Sequence, residues 1–339
     1  MAHDGSGLIL CGDPHPYLSL SGSGNIPLLF PLKEGYTLLD KQIFEFKYAG
    51  VDSVAIVAAP ASYGPVRDVV GKYEDIDITV VKEEQEAGSL GALRYARELF
   101  DTDLVVRNAD IVSDINMKKF VSYAKGNSYP MTMFVTHLPS PYGVVRIQGD
   151  SITGFEEKPL LDAFINAGIY YVRRDLAFPD TYKEGKLEYT LFPELARDHK
   201  MGHYREDVFW RSLKTFRDIE AVHKEYELKT DKAWGYEKLL VHTDKYMTKE
   251  LFLREGFSTS YHFHEHKDET MFVTSGRGYI KFDDRMEHFA KNDKIHIRPN
   301  VAHSIVALEN TLLYEFSTPH VNDTSRIEDY YPRDTESAT

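Results

Sequence analysis

His262 and His264, two residues apart, open the part of this chain where residue type and spacing could do chemistry. Side chains alternate between the two faces of a strand, so this pair would point the same way. Glu269 follows a short turn and Gly276 marks the next bend. His303 lies in Arg298-Pro299-Asn300-Val301-Ala302-His303, where a strand could return alongside the first. Three imidazoles and a carboxylate converging inside a small barrel would hold a divalent metal with one or two open positions, and Zn, Mn, Fe or Ni would suit them. His266, His288, His296 and His320 have no such spacing and read as surface residues. A second candidate is Asp110, which ends the apolar run that begins at Leu104. The bland reading of Asp110 is a cap for the next segment.

The elements that must position these residues differ between the two ends. Gly7–Cys11, Ser53–Ala58, Ile76–Val81 and Leu104–Val106 read as strands, and Leu38–Ala49, Tyr63–Tyr73 and Ser89–Phe100 as helices between them. That alternation predicts a Rossmann-like, mostly parallel α/β sheet, whose ligands sit beyond the carboxyl ends of the strands. Gly12 and Asp110 both occupy that edge. From Met131 to Val172 shorter strands suggest a β-rich insertion beside the main sheet. A polar stretch, Lys224–Lys232, precedes short strands with turn signals, the pattern of an all-β barrel or jelly roll. The expected domains are 1–228 and 229–320, with an acidic, loosely held tail over 321–339.

Composition narrows the partners. Lys and Arg total 40 against 53 Asp and Glu, so a polyphosphate partner such as nucleic acid, or an anionic membrane, is not expected. Cys11 is the single cysteine, which excludes an internal disulfide and suits a reducing cytoplasm. The first residues lack a basic run and no apolar stretch is long enough to span a bilayer.

Gly256, His262, His264, Glu269 and Gly276 resemble, position for position, the cupin signature of glycine, His-x-His, glutamate and glycine. Asn292 and Asn300 stand where the second cupin motif usually has glycines. Trp234-Gly235-Tyr236-Glu237 is similar to the cupin domain of mannose-6-phosphate isomerases. The resemblance implies a cupin jelly-roll barrel whose metal polarises a sugar carbonyl for isomerisation, binds O₂ at iron or simply holds a ligand.

Over about Leu8 to Tyr226 the chain resembles the sugar-1-phosphate nucleotidyltransferase family. The strings that carry this are Leu8–Gly12, Ala49-Gly50-Val51, Gly88-Ser89-Leu90-Gly91-Ala92-Leu93, Asn108-Ala109-Asp110, Tyr142-Gly143-Val144-Val145, Phe155-Glu156-Glu157-Lys158-Pro159 and Asn166-Ala167-Gly168, in family order. The resemblance implies Asp110 on a catalytic Mg²⁺ and Lys158 at the phosphate. It places the sugar on Glu157 and Asn166, and it puts Gly12, Gly88, Gly91 and Gly143 at the substrates. The partners so implied are a nucleoside triphosphate or nucleotide sugar and a sugar phosphate, with a homodimer by analogy.

The departures are equally specific. No Lys or Arg occurs between Gly12 and Lys33, where the family places an arginine and a lysine. Gly22 and Gly24 could still cradle a phosphate with backbone N–H groups. The late Trp-x-Asp motif, source of a second metal aspartate, reads Trp210-Arg211-Ser212, and Asp207 is the nearby substitute. Domain order is similar to that of bifunctional mannose-1-phosphate guanylyltransferase/mannose-6-phosphate isomerases. Two functions are therefore expected as alternatives. One is nucleotidyl transfer to a sugar 1-phosphate beside a cupin of isomerase or epimerase type. The other is a silent sugar-phosphate or nucleotide-sugar binding module, with the cupin carrying the only activity or ligand binding.

Overall fold

The computed structural model describes residues 5–16, 18, 25–83, 87–140, 142–178, 181–328 and 330. Gly22 and Gly24, the backbone phosphate cradle expected above, lie outside them. Contacts divide the chain into Met1–Val222 and His223–Thr339.

In the first unit, Leu8 and Ile9 are both fully buried, and they belong to different apolar clusters. A strand buried on both faces belongs to a sheet covered by helices on each side. Seven strands form that sheet, in the order Met201–Arg205, Met131–Pro139, Leu160–Val172, Leu104–Asn108, Ser6–Cys11, Ser53–Ala58 and Asp77–Lys82. All pairings are parallel except those of Leu160–Val172, which runs against both neighbours. The expected β-rich insertion is therefore corrected. Met131–Pro139 and Leu160–Val172 enter the main sheet because their apolar ends supply core residues, and only the hairpin Val144–Gln148/Ser151–Glu156 stands apart.

The helix Leu38–Tyr48 starts at a capping box in which Thr37 and Asp40 satisfy each other's backbone N–H groups. Its inward face carries charge as well as apolar residues. Lys41 lies 3.2 Å from Glu45 and 3.3 Å from Asp114, all three buried. Arg107, fully buried on its strand, pairs with Glu45. A buried ion pair is stable only when its partners are all present, so this group fixes how the helix docks on the sheet.

Among its described residues the second unit is built of strands once the helix Phe216–Tyr226 has ended. Lys229–Lys232, Gly235–His242, Met247–Leu253, Thr311–Ser317, Glu269–Ser275 and Lys294–Ile297 make a six-stranded antiparallel sheet. Met286–Ala290, Arg277–Lys281 and Ser304–Ala307 make a second sheet, and Tyr261–His264 pairs with Thr324–Glu328. Leu251, Val273, Ile280, Phe289, Ile305 and Leu313 join the sheets in one core. Lys229–Lys232, expected as part of a polar linker, is an edge strand. Thr324–Glu328, expected in a loose tail, is a strand too. Their charged composition hid both, since an edge strand needs only backbone partners and a little apolar contact.

Gly276 has φ +82°, and a Cβ there would lie 2.4 Å from the Asn310 carbonyl oxygen, so the bend admits glycine alone. Asn292 and Asn300 sit at φ +77° and +61°, the left-handed conformation asparagine tolerates best after glycine. Each therefore holds a conformation that glycine would also adopt.

Glu237 makes a pH-dependent contribution to this unit. Burial pushes its carboxyl up, but Lys232 at 3.4 Å and Lys249 at 3.3 Å prevail and hold it near pH 2, below the ordinary 4.5. A depressed carboxyl stabilises the fold above its unfolded value and loses that contribution as the pH falls through the folded one. Stability should therefore fall between about pH 4.5 and 2. Glu237→Gln should flatten that limb and cost about 1–3 kcal/mol at neutral pH. Denaturant melts of both proteins across that range check this, and parallel acid limbs would remove the assignment.

Candidate functional site

The His262 strand and the segment carrying His303 pair directly, with N–H···O distances of 3.0 and 2.8 Å exchanged between the two residues. His264 follows on the same face. In each ring Nδ1 faces a backbone carbonyl: Ser260 at 2.8 Å from His262, Asp323 at 2.8 Å from His264 and Val301 at 3.0 Å from His303. A nitrogen facing a carbonyl carries the ring proton, so each Nε2 presents its lone pair inward. One ligand nitrogen from each histidine lies within 4.8 Å of the others.

Glu269 completes the group. Its Oε1 lies 3.0 Å from His303 Nε2 and its Oε2 lies 3.8 Å from His264 Nε2. Burial and the His303 ring drive the His262 imidazolium down to about 3. Burial and Lys267 lower His264. Burial pushes Glu269 up, but the adjoining His303 ring and then the Lys267 ammonium outweigh this and hold the carboxyl near 2. Neutral His262 and His264 beside an ionised Glu269 are the protonation states metal ligation requires. Glu269 Oε1 and His303 Nε2 are also buried without a hydrogen-bond donor in good geometry. Unsatisfied buried acceptors are costly, and a divalent cation between them would satisfy both. The four residues therefore fit a metal.

His266, His296 and His320 stay outside this group. The His266 ring lies beside that of His320, and His296 Nε2 lies 2.9 Å from Asp268.

On the first unit, Gly12 and Asp110 follow adjacent parallel strands, with Ala109 N–H donating to the Leu10 carbonyl at 3.0 Å. Gln42, fully buried, donates to the carbonyls of Asn108 at 3.1 Å and Ile111 at 3.3 Å. It therefore clamps the turn that carries Asp110, a role its sequence position did not signal. Ser212 pairs with Ile111 in the short ladder of Trp210–Ser212 and Ile111–Ser113. Its hydroxyl donates to Asp110 Oδ2 at 2.7 Å, and Lys214 Nζ lies 3.6 Å from the same oxygen.

Asn166 accepts the Gly168 N–H at 2.9 Å, and a Cβ on Gly168 would come within 2.9 Å of Asn108 Nδ2, so these two strings meet. Glu157 and Gly143 also meet, a Cβ on Gly143 falling 3.0 Å from Glu157 Oε2. Lys158, at φ +49°, lies 3.7 Å from Glu157 with its side chain mostly exposed. The turn at Gly88 is fixed by packing, since a Cβ there would lie 2.6 Å from the Gly185 carbonyl oxygen. Gly91 is equally tight, with its Cβ 2.3 Å from that of Ala87. Asp207, the expected substitute ligand, pairs instead with His137 at 2.8 Å and Arg205 at 3.1 Å. Burial pushes the Cys11 thiol up to about 12, which leaves it inert.

Residues 20–229 match the nucleotidyl transferase family model. The chain belongs to the nucleotidyl transferase family. Mannose-1-phosphate guanylyltransferase 1 of Arabidopsis thaliana is 29% identical over 193 residues, 52% of each chain. Mannose-1-phosphate guanyltransferase of Neurospora crassa is 27% identical over 193 residues, again 52% of each. The chain thus spans about half the length of the curated relatives it matches. Among solved structures, HddC from Yersinia pseudotuberculosis superposes with a TM-score of 0.51 at 16% identity, covering 66% of this chain and 99% of that one.

The nucleotidyl transferase domain does not fit a two-carboxylate Mg²⁺ site at Asp110. The second aspartate is Ser212, and an ammonium already balances the carboxylate that remains. Two carboxylates side by side need a cation, whereas a carboxylate with a hydroxyl and an ammonium does not.

Proposed function

We propose that the protein serves nucleotide-sugar metabolism. Its first domain takes a nucleotide or nucleotide sugar with a sugar phosphate. Its second domain is a cupin whose His262, His264, Glu269 and His303 hold a divalent metal for isomerase- or epimerase-type chemistry on a sugar. The observation that carries this reading is the convergence of one ring nitrogen each from His262, His264 and His303 beside the buried Glu269 carboxylate, in a chain that begins with a nucleotidyl transferase domain. The metal, when bound, supplies Lewis acidity toward a carbonyl oxygen. The protein's own part is to hold three imidazole rings, each with Nδ1 on a backbone carbonyl, and one buried carboxylate at fixed spacing.

For the first domain, transfer of a nucleotidyl group from a triphosphate to a sugar 1-phosphate is the chemistry that the named relatives suggest. The contacts at Asp110 favour the other reading, binding without turnover. Positioning and charge neutralisation supply most of the catalysis in phosphoryl-type transfer, and a single cation can be worth about 10³–10⁵ in rate. Here the loop after Gly12 has no Lys or Arg before Lys33, and Lys214 is engaged by Asp110.

Incubation with the common nucleoside triphosphates, a panel of sugar 1-phosphates and Mg²⁺ separates the two. Pyrophosphate from some pair, abolished by Asp110→Asn, establishes transfer. No pyrophosphate from any pair, together with saturable binding of a nucleotide sugar, establishes the binding role.

A further inference from the structure

We infer that Asp323 is a positioning residue of the metal centre, an inference that rests on the metal reading above. It immediately precedes Thr324–Glu328, the strand that pairs antiparallel with Tyr261–His264 in the register Thr324 to His264. From there it acts through both its main chain and its side chain. Its carbonyl accepts the His264 Nδ1 proton at 2.8 Å. Its carboxylate accepts three consecutive backbone N–H groups, Glu265 at 3.1 Å, His266 at 2.7 Å and Lys267 at 2.7 Å. Those three residues form the turn that links ligand His264 to ligand Glu269.

Each contact has a consequence for the metal. The carbonyl fixes the tautomer and rotation of His264, so that Nε2 faces inward with its lone pair free. The carboxylate fixes the turn, and the turn sets the distance between His264 and Glu269. It also places Lys267, buried 3.3 Å from Glu315 and 4.0 Å from Glu269. Glu265, His266 and Asp323 lie close enough together to suggest a second cation site. The three N–H donors already on the Asp323 carboxylate, and the exposure of Glu265 and His266, argue against one.

The test titrates Co²⁺ alone into metal-free full-length protein and reads the ligand-field absorption bands, which report donor number and geometry. Wild type is expected to give saturable bands. Asp323→Ala should weaken binding by about 10–100-fold and shift the bands, while the thermal midpoint of the metal-free protein stays close to wild type. Asp323→Asn keeps one acceptor oxygen for His266 and Lys267 but turns an amide N–H₂ toward Glu265, so its loss should be smaller. It also decides the matter if the alanine variant fails to fold. A folded Asp323→Ala, or failing that Asp323→Asn, with wild-type affinity and unchanged bands overturns the positioning role alone. Absence of bands in wild type removes the metal centre, and this role with it.

Discussion

Changing His262 and His264 together to alanine is expected to reduce the divalent metal carried by the chain from a stoichiometric amount to background. Binding of a four-ligand structural zinc is worth about 10–16 kcal/mol, so two of four ligands account for roughly 5 kcal/mol or more, some three to four decades in affinity. Nothing left at the site can compensate, because Glu269 and His303 alone would hold an ion open to water. Elemental analysis of protein purified without added metal reads the result. Equal metal in wild type and double variant would remove the site. Dichroism of the two proteins should coincide, since both rings are replaced inside a ladder held by backbone hydrogen bonds.

The second large effect is a gain. Ser212→Asp combined with Lys214→Ala is expected to give the nucleotidyl transferase domain a two-carboxylate divalent-ion site at Asp110, where Ser212 and Lys214 now stand. The change replaces the hydroxyl on Asp110 Oδ2 with a second carboxylate and removes the ammonium 3.6 Å away. Two adjacent carboxylates repel, and a divalent ion relieves that repulsion. Mn²⁺ binding followed by electron paramagnetic resonance, in the His262→Ala/His264→Ala background, should rise by one equivalent that Asp110→Asn abolishes. If that background already binds Mn²⁺ in an Asp110-dependent way, the ammonium is not standing in for a metal and the binding-only reading loses its main support.

What could be read from the residues alone was whatever lies close along the chain. The spacing of His262, His264, Glu269 and Gly276 is local, and so is the alternation of strands and helices before Gly126. The metal group needed one long-range guess, His303, and it sits opposite His262 as a hydrogen-bonded partner. Gln42, Lys214 and Asp323 were illegible for a common reason. Each is a polar residue of ordinary type whose partners in the contacts described above lie 56 residues or more away, and no periodicity marks it. The burial of Lys41, Glu45 and Arg107 has no mark in the sequence either, since charge along a helix or strand ordinarily means a solvated face.

Under the proposed metal reading, the direct pairing of His262 with His303 makes metal retention a readout of strand alignment. Neighbouring residues on a strand face opposite sides, so a slip of one residue would turn either imidazole away from the other. Half-denatured, domain-swapped or misaligned forms could keep their strand content and still fail to bind the ion. Variants in this domain can then be sorted by metal content at purification, which separates chains in the native register from those that are merely folded.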